Sequence, residues 1–240
     1  MNKRKYSNGV VLVHFPEDGK HGCGKHCGFC YFEKVGYNIP ITPSDEEILG
    51  FLQDVEPGSI IQICGAGDPL YNFDKNGAYL LHVAGLIRDA GYSVQLVTKY
   101  FEVVKDHLSE LSAFDSYSFS AEERDEGLKA LVSALTAAGK YVRITKIANF
   151  TPDIYTIDVG ALEAFAAFYS DVANKDMLSI CFRPNFNFDY KDADIFKERG
   201  VVYAWTAKYG CYIYMQMQSK RLGNPQLWNG RVIRCGDTRE

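Results

Sequence analysis

The chain has 240 residues, of which 47% are hydrophobic and 14% are aromatic, and its formal net charge at pH 7 is −4. This length and composition are sufficient to bury a full hydrophobic core and suit one domain. The acidic balance disfavours a dedicated nucleic-acid binder. No stretch approaches the roughly 18 apolar residues of a membrane span, and the short apolar run 10–13 does not make a signal peptide, so we expect a cytoplasmic protein.

Apolar runs alternate along the chain with segments of helical period, which is the sequence pattern of a parallel sheet with crossover helices. The predicted strands, in chain order, are 10–13, 59–64, 93–97, 116–120, 142–147 and 178–182. The predicted helices between them are about 44–55, 77–90, 101–111, 125–138 and 159–169. Together these units predict an α/β fold, a partial (β/α)6 TIM-like barrel.

Two local patterns add the start of one helix and the orientation of one strand to this prediction. Ser44 and Glu47 have the spacing of a capping box at the start of the first helix. In strand 116–120, side chains alternate between two faces, so that Tyr117 and Phe119 point one way and the serines, including Ser118 and Ser120, point toward the barrel lumen.

The C-terminal part, 186–240, is predicted to be a short irregular extension of a single domain whose core is about 10–185. Segments 201–205 and 211–217 are strand-like. The tail 220–240 is expected to cap the barrel or to cover its site.

Three cysteines lie close together after the first predicted strand. Cys23, Cys27 and Cys30 have the spacing Cys-x3-Cys-x2-Cys. A closed zinc site uses four ligands, and so does an iron–sulfur cluster that only transfers electrons. A cluster held by three cysteines leaves one iron open to bind a substrate or cofactor.

The other four cysteines are scattered along the chain, and none forms a second Cys-x2-Cys pair. We expect them to be buried small hydrophobic residues. They are Cys64, Cys181, Cys211 and Cys235.

The cysteine loop and the segment 65–69 follow two consecutive strands. The C-terminal ends of parallel barrel strands lie at the same rim, where barrels place their active sites. The two segments are therefore expected to meet there.

The cysteine spacing, with the aromatic Phe29 just before Cys30, resembles the signature of the radical S-adenosylmethionine (radical SAM) enzymes, and the resemblance spans roughly 10–185. It implies that the three cysteines hold a 4Fe–4S cluster whose open iron is chelated by SAM, and that Phe29 packs near the adenine. It also implies reductive cleavage of SAM to a 5′-deoxyadenosyl radical, oxygen sensitivity, and an external reductant such as a flavodoxin or ferredoxin.

A second segment carries the resemblance further. Ala66-Gly67-Asp68-Pro69, preceded by Gly65, is similar to the family's Gly-Gly-Glu-Pro segment, whose backbone meets the amino group of SAM. Small residues suit this role because a ligand can approach bare backbone. The chain departs from the family at Ala66, which replaces glycine, and at Asp68, which replaces glutamate.

Further residues are assigned from their places at the ends of later strands. The resemblance implies that Ser118 and Ser120 bind the ribose or carboxylate of SAM and that Asn149 contacts the nucleoside, although the serines equally suit a polar lumen filling. Lys99 and Arg183 are candidates for binding the SAM carboxylate or an anionic substrate group, with solvated strand ends as the alternative.

The substrate is left open between several classes. The first hypothesis is a small-molecule or nucleotide-like substrate. The second is a nucleic-acid modification or repair enzyme similar to spore photoproduct lyase, suggested by Val97-Thr98-Lys99 and the basic tail residues Lys220, Arg221, Arg231 and Arg234. The third is a non-enzymatic metal-binding module, such as a zinc site completed by His14, His21 or His26.

Overall fold

Strands and helices alternate along the chain much as the sequence predicts. The computed structural model describes residues 7–16, 23–25, 27, 39–65, 67–148, 150–151, 154–184, 193–216, 225–228 and 231–234. The strands are β1 Ser7–Val13, β2 Ile60–Gly65, β3 Ser93–Thr98, β4 Ser116–Ser120, β5 Tyr141–Ala148, β6 Phe150–Thr151, β7 Ile154–Ile157, β8 Leu178–Pro184, β9 Tyr212–Met215, β10 Pro225–Trp228 and β11 Arg231–Arg234. The helices are α1 Asp45–Gln53, α2 Phe73–Asp89, α3 Phe101–Asp106, α4 Leu108–Leu111, α5 Glu126–Ala137, α6 Val159–Ser170 and α7 Ala193–Tyr209.

The chain divides into two compact units, one formed by 1–116 with 220–240 and the other by 117–219. The assignment of the whole chain to a single domain stays a prediction. The predicted α/β fold class is confirmed, since parallel strands alternate with helices in each unit: β1, β2 and β3 are parallel in the first, and β5, β8 and β9 in the second. Among the described residues, no helix is long and apolar enough to cross a membrane.

In the first unit, the strands run in the order β11-β10-β1-β2-β3. β1, β2 and β3 are parallel, with Leu12 opposite Cys64 and Ile63 opposite Leu96. Both faces of these strands are buried, which is why they read in the sequence as continuous apolar runs. On one face, a small core cluster is made by Val10, Leu12, Ile41 and Cys64.

The predicted capping box fixes the start of α1. The Ser44 hydroxyl accepts a hydrogen bond from the Glu47 main-chain N–H at 3.3 Å, and the Glu47 carboxylate accepts one from the Ser44 N–H at 2.7 Å. These bonds satisfy backbone donors that the first turn of a helix leaves open.

In the second unit, β5 and β8 are parallel from the pair Val142 and Leu178 to the pair Ala148 and Pro184. β9 lies parallel to the other side of β8. The alternation predicted for β4 is visible in its contacts, since the Tyr117 and Phe119 rings stack with centroids 6.0 Å apart.

The C-terminal part is more regular than the predicted irregular extension, and the predicted strand 201–205 is wrong. It lies inside α7, where the buried residues Val202 and Trp205 are one helical turn apart. The adjacent β-branched residues Val201 and Val202 suggest a strand locally, but tertiary packing of the apolar stripe decides the conformation. The strand predicted at 211–217 is confirmed as β9.

Candidate functional site

Three loops of the first unit meet where the parallel strands β1, β2 and β3 end. They are the cysteine loop after β1, the segment 65–69 after β2, and Thr98-Lys99-Tyr100 after β3. Of the cysteine loop, the structure describes 23–25 and 27. Four of the predicted site residues, Phe29, Cys30, Ala66 and Asn149, lie outside the described residues.

Gly67 lies directly against the cysteine loop. A Cβ atom at this position would be 3.0 Å from the imidazole of His14 and 3.1 Å from the Cβ of Cys23. His14 continues β1 and is buried, with its backbone held by reciprocal hydrogen bonds of 2.9 and 3.0 Å to Ile41. The structure thus brings the glycine segment and the cysteine loop together, and a side chain at Gly67 would have to displace these neighbours by a few tenths of an ångström.

Asp68 joins the loop after β2 to the loop after β3. Asp68 is buried, with 6% of the residue exposed. It accepts hydrogen bonds from the Thr98 hydroxyl at 2.7 Å, the Lys99 main-chain N–H at 2.5 Å and the Leu70 main-chain N–H at 3.0 Å. Burial raises the pKa of Asp68, against the opposing effect of these donors and of the Lys25 charge.

These contacts give the aspartate a role that its match to the family segment does not reveal. The described bonds of its side chain go to the protein's own donors, and Asp68 therefore positions the loops around the site. The assignment of Asp68 to the cofactor itself stays a prediction.

The segment Thr98-Lys99-Tyr100 holds the cysteine loop at both described cysteines. The Lys99 ammonium donates to the Cys27 sulfur at 3.0 Å, and the Tyr100 hydroxyl donates to the Cys23 carbonyl oxygen. The Tyr100 main-chain N–H in turn donates to the Thr98 hydroxyl at 2.8 Å. The contacts of Lys99 with Cys27 and of Tyr100 with Cys23 join residues that are more than seventy positions apart.

Two tyrosine rings, those of Tyr71 and Tyr100, lie near the cysteine loop at Gly24 and Lys25. The Tyr71 and Tyr100 ring centroids are 6.0 Å apart, and the Lys25 ammonium lies 4.3 Å from the Tyr100 centroid. Gly24 adopts a φ of +71°, and a Cβ atom there would lie 3.3 Å from the Tyr71 ring. Burial and then the charge of Cys23 raise the pKa of Tyr100, so that its hydroxyl keeps the proton that it donates.

Sequence reasoning missed Tyr71, Thr98 and Tyr100 as site residues. Their signal is weak, since it consists only of polar and aromatic residues directly after the second and third strands. Lys99 was predicted to lie at this rim, and the structure adds its contact with Cys27.

The described donors are chemically suited to an iron–sulfur cluster. Cys23 and Cys27 are half-buried thiols on one loop, and thiolates are the ligands that such clusters use. Within the described ranges no three His, Cys, Asp or Glu side chains form a metal site, and Cys30 is not part of those ranges.

The remaining described candidates belong to the second unit. Ser118 is buried, and its hydroxyl accepts a hydrogen bond from Nε of Arg143 at 2.9 Å. Ser120 and Arg183 are half-buried, and Arg183 lies opposite Ile147 in the β5–β8 ladder. The roles predicted for these residues toward SAM stay predictions.

The scattered cysteines behave as expected wherever they are described. Cys64, Cys181 and Cys211 are buried thiols within the cores of their units. Cys235 lies outside the described residues.

Removing the Asp68 carboxylate tests its positioning role. Asp68→Ala leaves buried donors of Thr98, Lys99 and Leu70 without their acceptor, so we expect a loss of roughly 2–4 kcal/mol in the free energy of unfolding. Urea denaturation followed by circular dichroism measures this loss.

The exposed Asp89, in the last turn of α2, provides the control. Asp89→Ala is expected to change stability by less than about 0.5 kcal/mol. Equal stabilities of the two variants would contradict the positioning role of Asp68.

No protein-family model matches the chain, and no curated protein matches it. Among solved structures it is similar to Streptococcus suis SuiB, determined bound to S-adenosylmethionine, with 14% identity, a TM-score of 0.56, and coverage of 88% of this chain and 47% of SuiB. It also matches coproporphyrinogen III oxidase (HemN) from Escherichia coli, described as a radical SAM enzyme, with 19% identity, a TM-score of 0.46, and coverage of 85% and 53%. The chain thus spans about half the length of these proteins, and the likeness to SuiB shows a shared fold.

Proposed function

We propose that this chain, which has the partial-barrel fold of the radical SAM superfamily, is a radical SAM enzyme. Cys23, Cys27 and Cys30 hold a 4Fe–4S cluster, and the segment 65–69 binds SAM beside it. The observation that carries the proposal is the close approach of Gly67 to Cys23, since a Cβ atom at Gly67 would lie 3.1 Å from the Cys23 Cβ, so that glycine backbone lies next to the cysteine loop. A cofactor that must reach both a cluster and main-chain groups requires this arrangement.

The chemistry of such a site follows from the bound groups. Held by Cys23, Cys27 and Cys30, a reduced cluster would supply one electron for cleavage of the C–S bond of SAM into methionine and a 5′-deoxyadenosyl radical, which would take a hydrogen atom from the substrate.

The chain's own residues hold and orient these groups. Asp68 fixes the loops after β2 and β3 to each other, and the Tyr71 N–H closes a turn within the loop after β2 by donating to the Asp68 carbonyl oxygen at 3.1 Å. Tyr100 holds the main chain of the cysteine loop at Cys23. Gly67, which has no side chain, lets the segment after β2 lie close to His14 and Cys23.

SAM as the ligand is supported by the shared fold with SuiB, which was determined with SAM bound. In this chain, Phe29 and Asn149 are proposed to contact the adenosine, and Ser118 and Ser120 the ribose or carboxylate. Lys99 is instead engaged with Cys27, at 3.0 Å.

For the substrate, we propose a small or nucleotide-like molecule with an unactivated carbon that loses a hydrogen atom. An external one-electron donor, such as a flavodoxin or ferredoxin, reduces the cluster. Arg183, a half-buried cation on β8, is the candidate for an anionic group of the substrate.

Anaerobic reconstitution tests the proposal directly. With iron and sulfide, the protein is expected to show broad absorbance near about 400 nm from thiolate-to-iron charge transfer. With SAM and dithionite it is then expected to release 5′-deoxyadenosine and methionine, and exposure to air is expected to abolish this activity.

The control is the same protein loaded with zinc, which should show neither the absorbance nor SAM cleavage. Tight zinc binding by the natively purified protein, combined with no iron uptake and no cleavage of SAM, would refute the proposal in favour of a metal-binding module.

A further inference from the structure

We propose that Lys99 is a positioning residue that sets the reduction potential of the cluster by placing a fixed positive charge on the sulfur of Cys27. The inference rests on the proposed function and goes beyond it. Its basis is the 3.0 Å contact between the Lys99 ammonium nitrogen and the Cys27 sulfur.

The backbone around Lys99 is anchored on both sides. Its own N–H donates to the Asp68 carboxylate at 2.5 Å, and the Thr98 hydroxyl donates to the same carboxylate at 2.7 Å. The Tyr100 N–H donates back to the Thr98 hydroxyl at 2.8 Å. Asp68 is buried in the loop after β2, so its hydrogen bonds fix the backbone of Lys99 within the first unit. The Lys99 side chain reaches from there to the cysteine loop.

The second lysine described at this loop is differently engaged. The ammonium of Lys25 lies 4.3 Å from the centroid of the Tyr100 ring and 3.9 Å from the Glu102 carboxylate. Its charge is partly balanced by Glu102 and faces an aromatic ring, whereas the charge of Lys99 meets a cysteine sulfur. Of these two lysines, Lys99 is therefore the one whose ammonium contacts a proposed cluster ligand.

The sign of the effect follows from charge. A cluster with three thiolate ligands is anionic, and reduction adds one more negative charge. A nearby cation stabilises the reduced form more than the oxidised form, and hydrogen bonds to the sulfurs act in the same direction. Lys99 and Cys27 are both half-buried, so water screens their interaction less than it would at a fully exposed site. Lys99 thus makes the cluster easier to reduce.

The experiment is an anaerobic redox titration of the reconstituted protein without SAM, followed by electron paramagnetic resonance. At a fixed applied potential, Lys99→Met is expected to lower the ratio of reduced to oxidised cluster by about tenfold, which corresponds to a midpoint about 59 mV lower for a one-electron couple. Lys99→Arg keeps the charge and is expected to stay near the wild-type midpoint.

Two further variants complete the design. Lys105→Met removes an exposed lysine of α3, a segment adjacent to Lys99, and is expected to leave the midpoint unchanged. Lys99→Gln keeps an amide donor but no charge, and it replaces Lys99→Met if that variant fails to bind iron. If neither neutral variant binds iron, a full iron content in Lys99→Arg supports the requirement for charge, and its loss there overturns the inference.

The outcomes separate this inference from the proposed function. A wild-type protein that assembles no cluster overturns both. A wild-type cluster whose midpoint is matched by Lys99→Met overturns only the role of Lys99. If that variant instead binds SAM more weakly at an unchanged midpoint, the lysine serves the cofactor and not the cluster.

Discussion

Replacing Cys27 with alanine is expected to abolish both cluster assembly and SAM cleavage. The thiolate is a proposed direct ligand, so its loss should exceed the roughly 10–100-fold effect of removing an outer partner of a metal site. Cys23→Ala is expected to behave in the same way. Iron and sulfide content per protein and the yield of 5′-deoxyadenosine measure the two effects separately.

The matched control is a cysteine of the second unit. Cys211 is buried directly before β9, so Cys211→Ala should cost about 1–2 kcal/mol of stability but leave iron content and SAM cleavage intact. Full iron content in Cys27→Ala would show that the ligand assignment is wrong. Loss of iron in Cys211→Ala would indicate a further cluster in the chain.

Gly67→Ala is expected to have the second-largest effect. The added Cβ would sit 3.0 Å from the His14 imidazole and 3.1 Å from the Cys23 Cβ, and His14 is buried with its backbone fixed to Ile41. Because these neighbours have little room to move, we expect a loss of roughly 1–3 kcal/mol in the free energy of unfolding. The displaced loop should also reduce iron content by about tenfold or more.

Gly85 offers the same chemical change without the steric conflict. It lies within α2, and a Cβ atom there would meet nothing within 4 Å. Gly85→Ala should therefore raise stability by about 0.5–1 kcal/mol, because alanine favours the helix interior. Wild-type iron content and stability in Gly67→Ala would contradict the close approach on which the site is built.

The fold and the meeting of the two loops could be predicted because both depend on local patterns. Apolar runs separated by helical periods fix a parallel sheet, and parallel strands place the segments after β1 and β2 at one rim. The capping box at Ser44 and Glu47 is equally local, since both partners lie within one helical turn.

The contacts that organise the site are not local. Lys99 meets Cys27, and Asp68 meets Thr98, across long stretches of sequence. Periodicity says where a strand ends but not which side chain there turns toward a neighbouring loop. In the same way, the apolar pattern at 201–205 is compatible with a strand and with a helix, and tertiary packing determines that the segment is helical.

The hydrogen bonds from Lys99 and Tyr100 to the cysteine loop bear on how this loop would bind the proposed cluster. A loop without such hydrogen bonds becomes ordered only when it binds the metal. The entropy cost of this ordering then lowers the affinity for the metal. Here part of the ordering is completed when the first unit folds. The chain thereby differs from zinc-finger peptides, whose structure exists only while the ion is bound, because Cys23 and Cys27 are held in place before the proposed cluster binds.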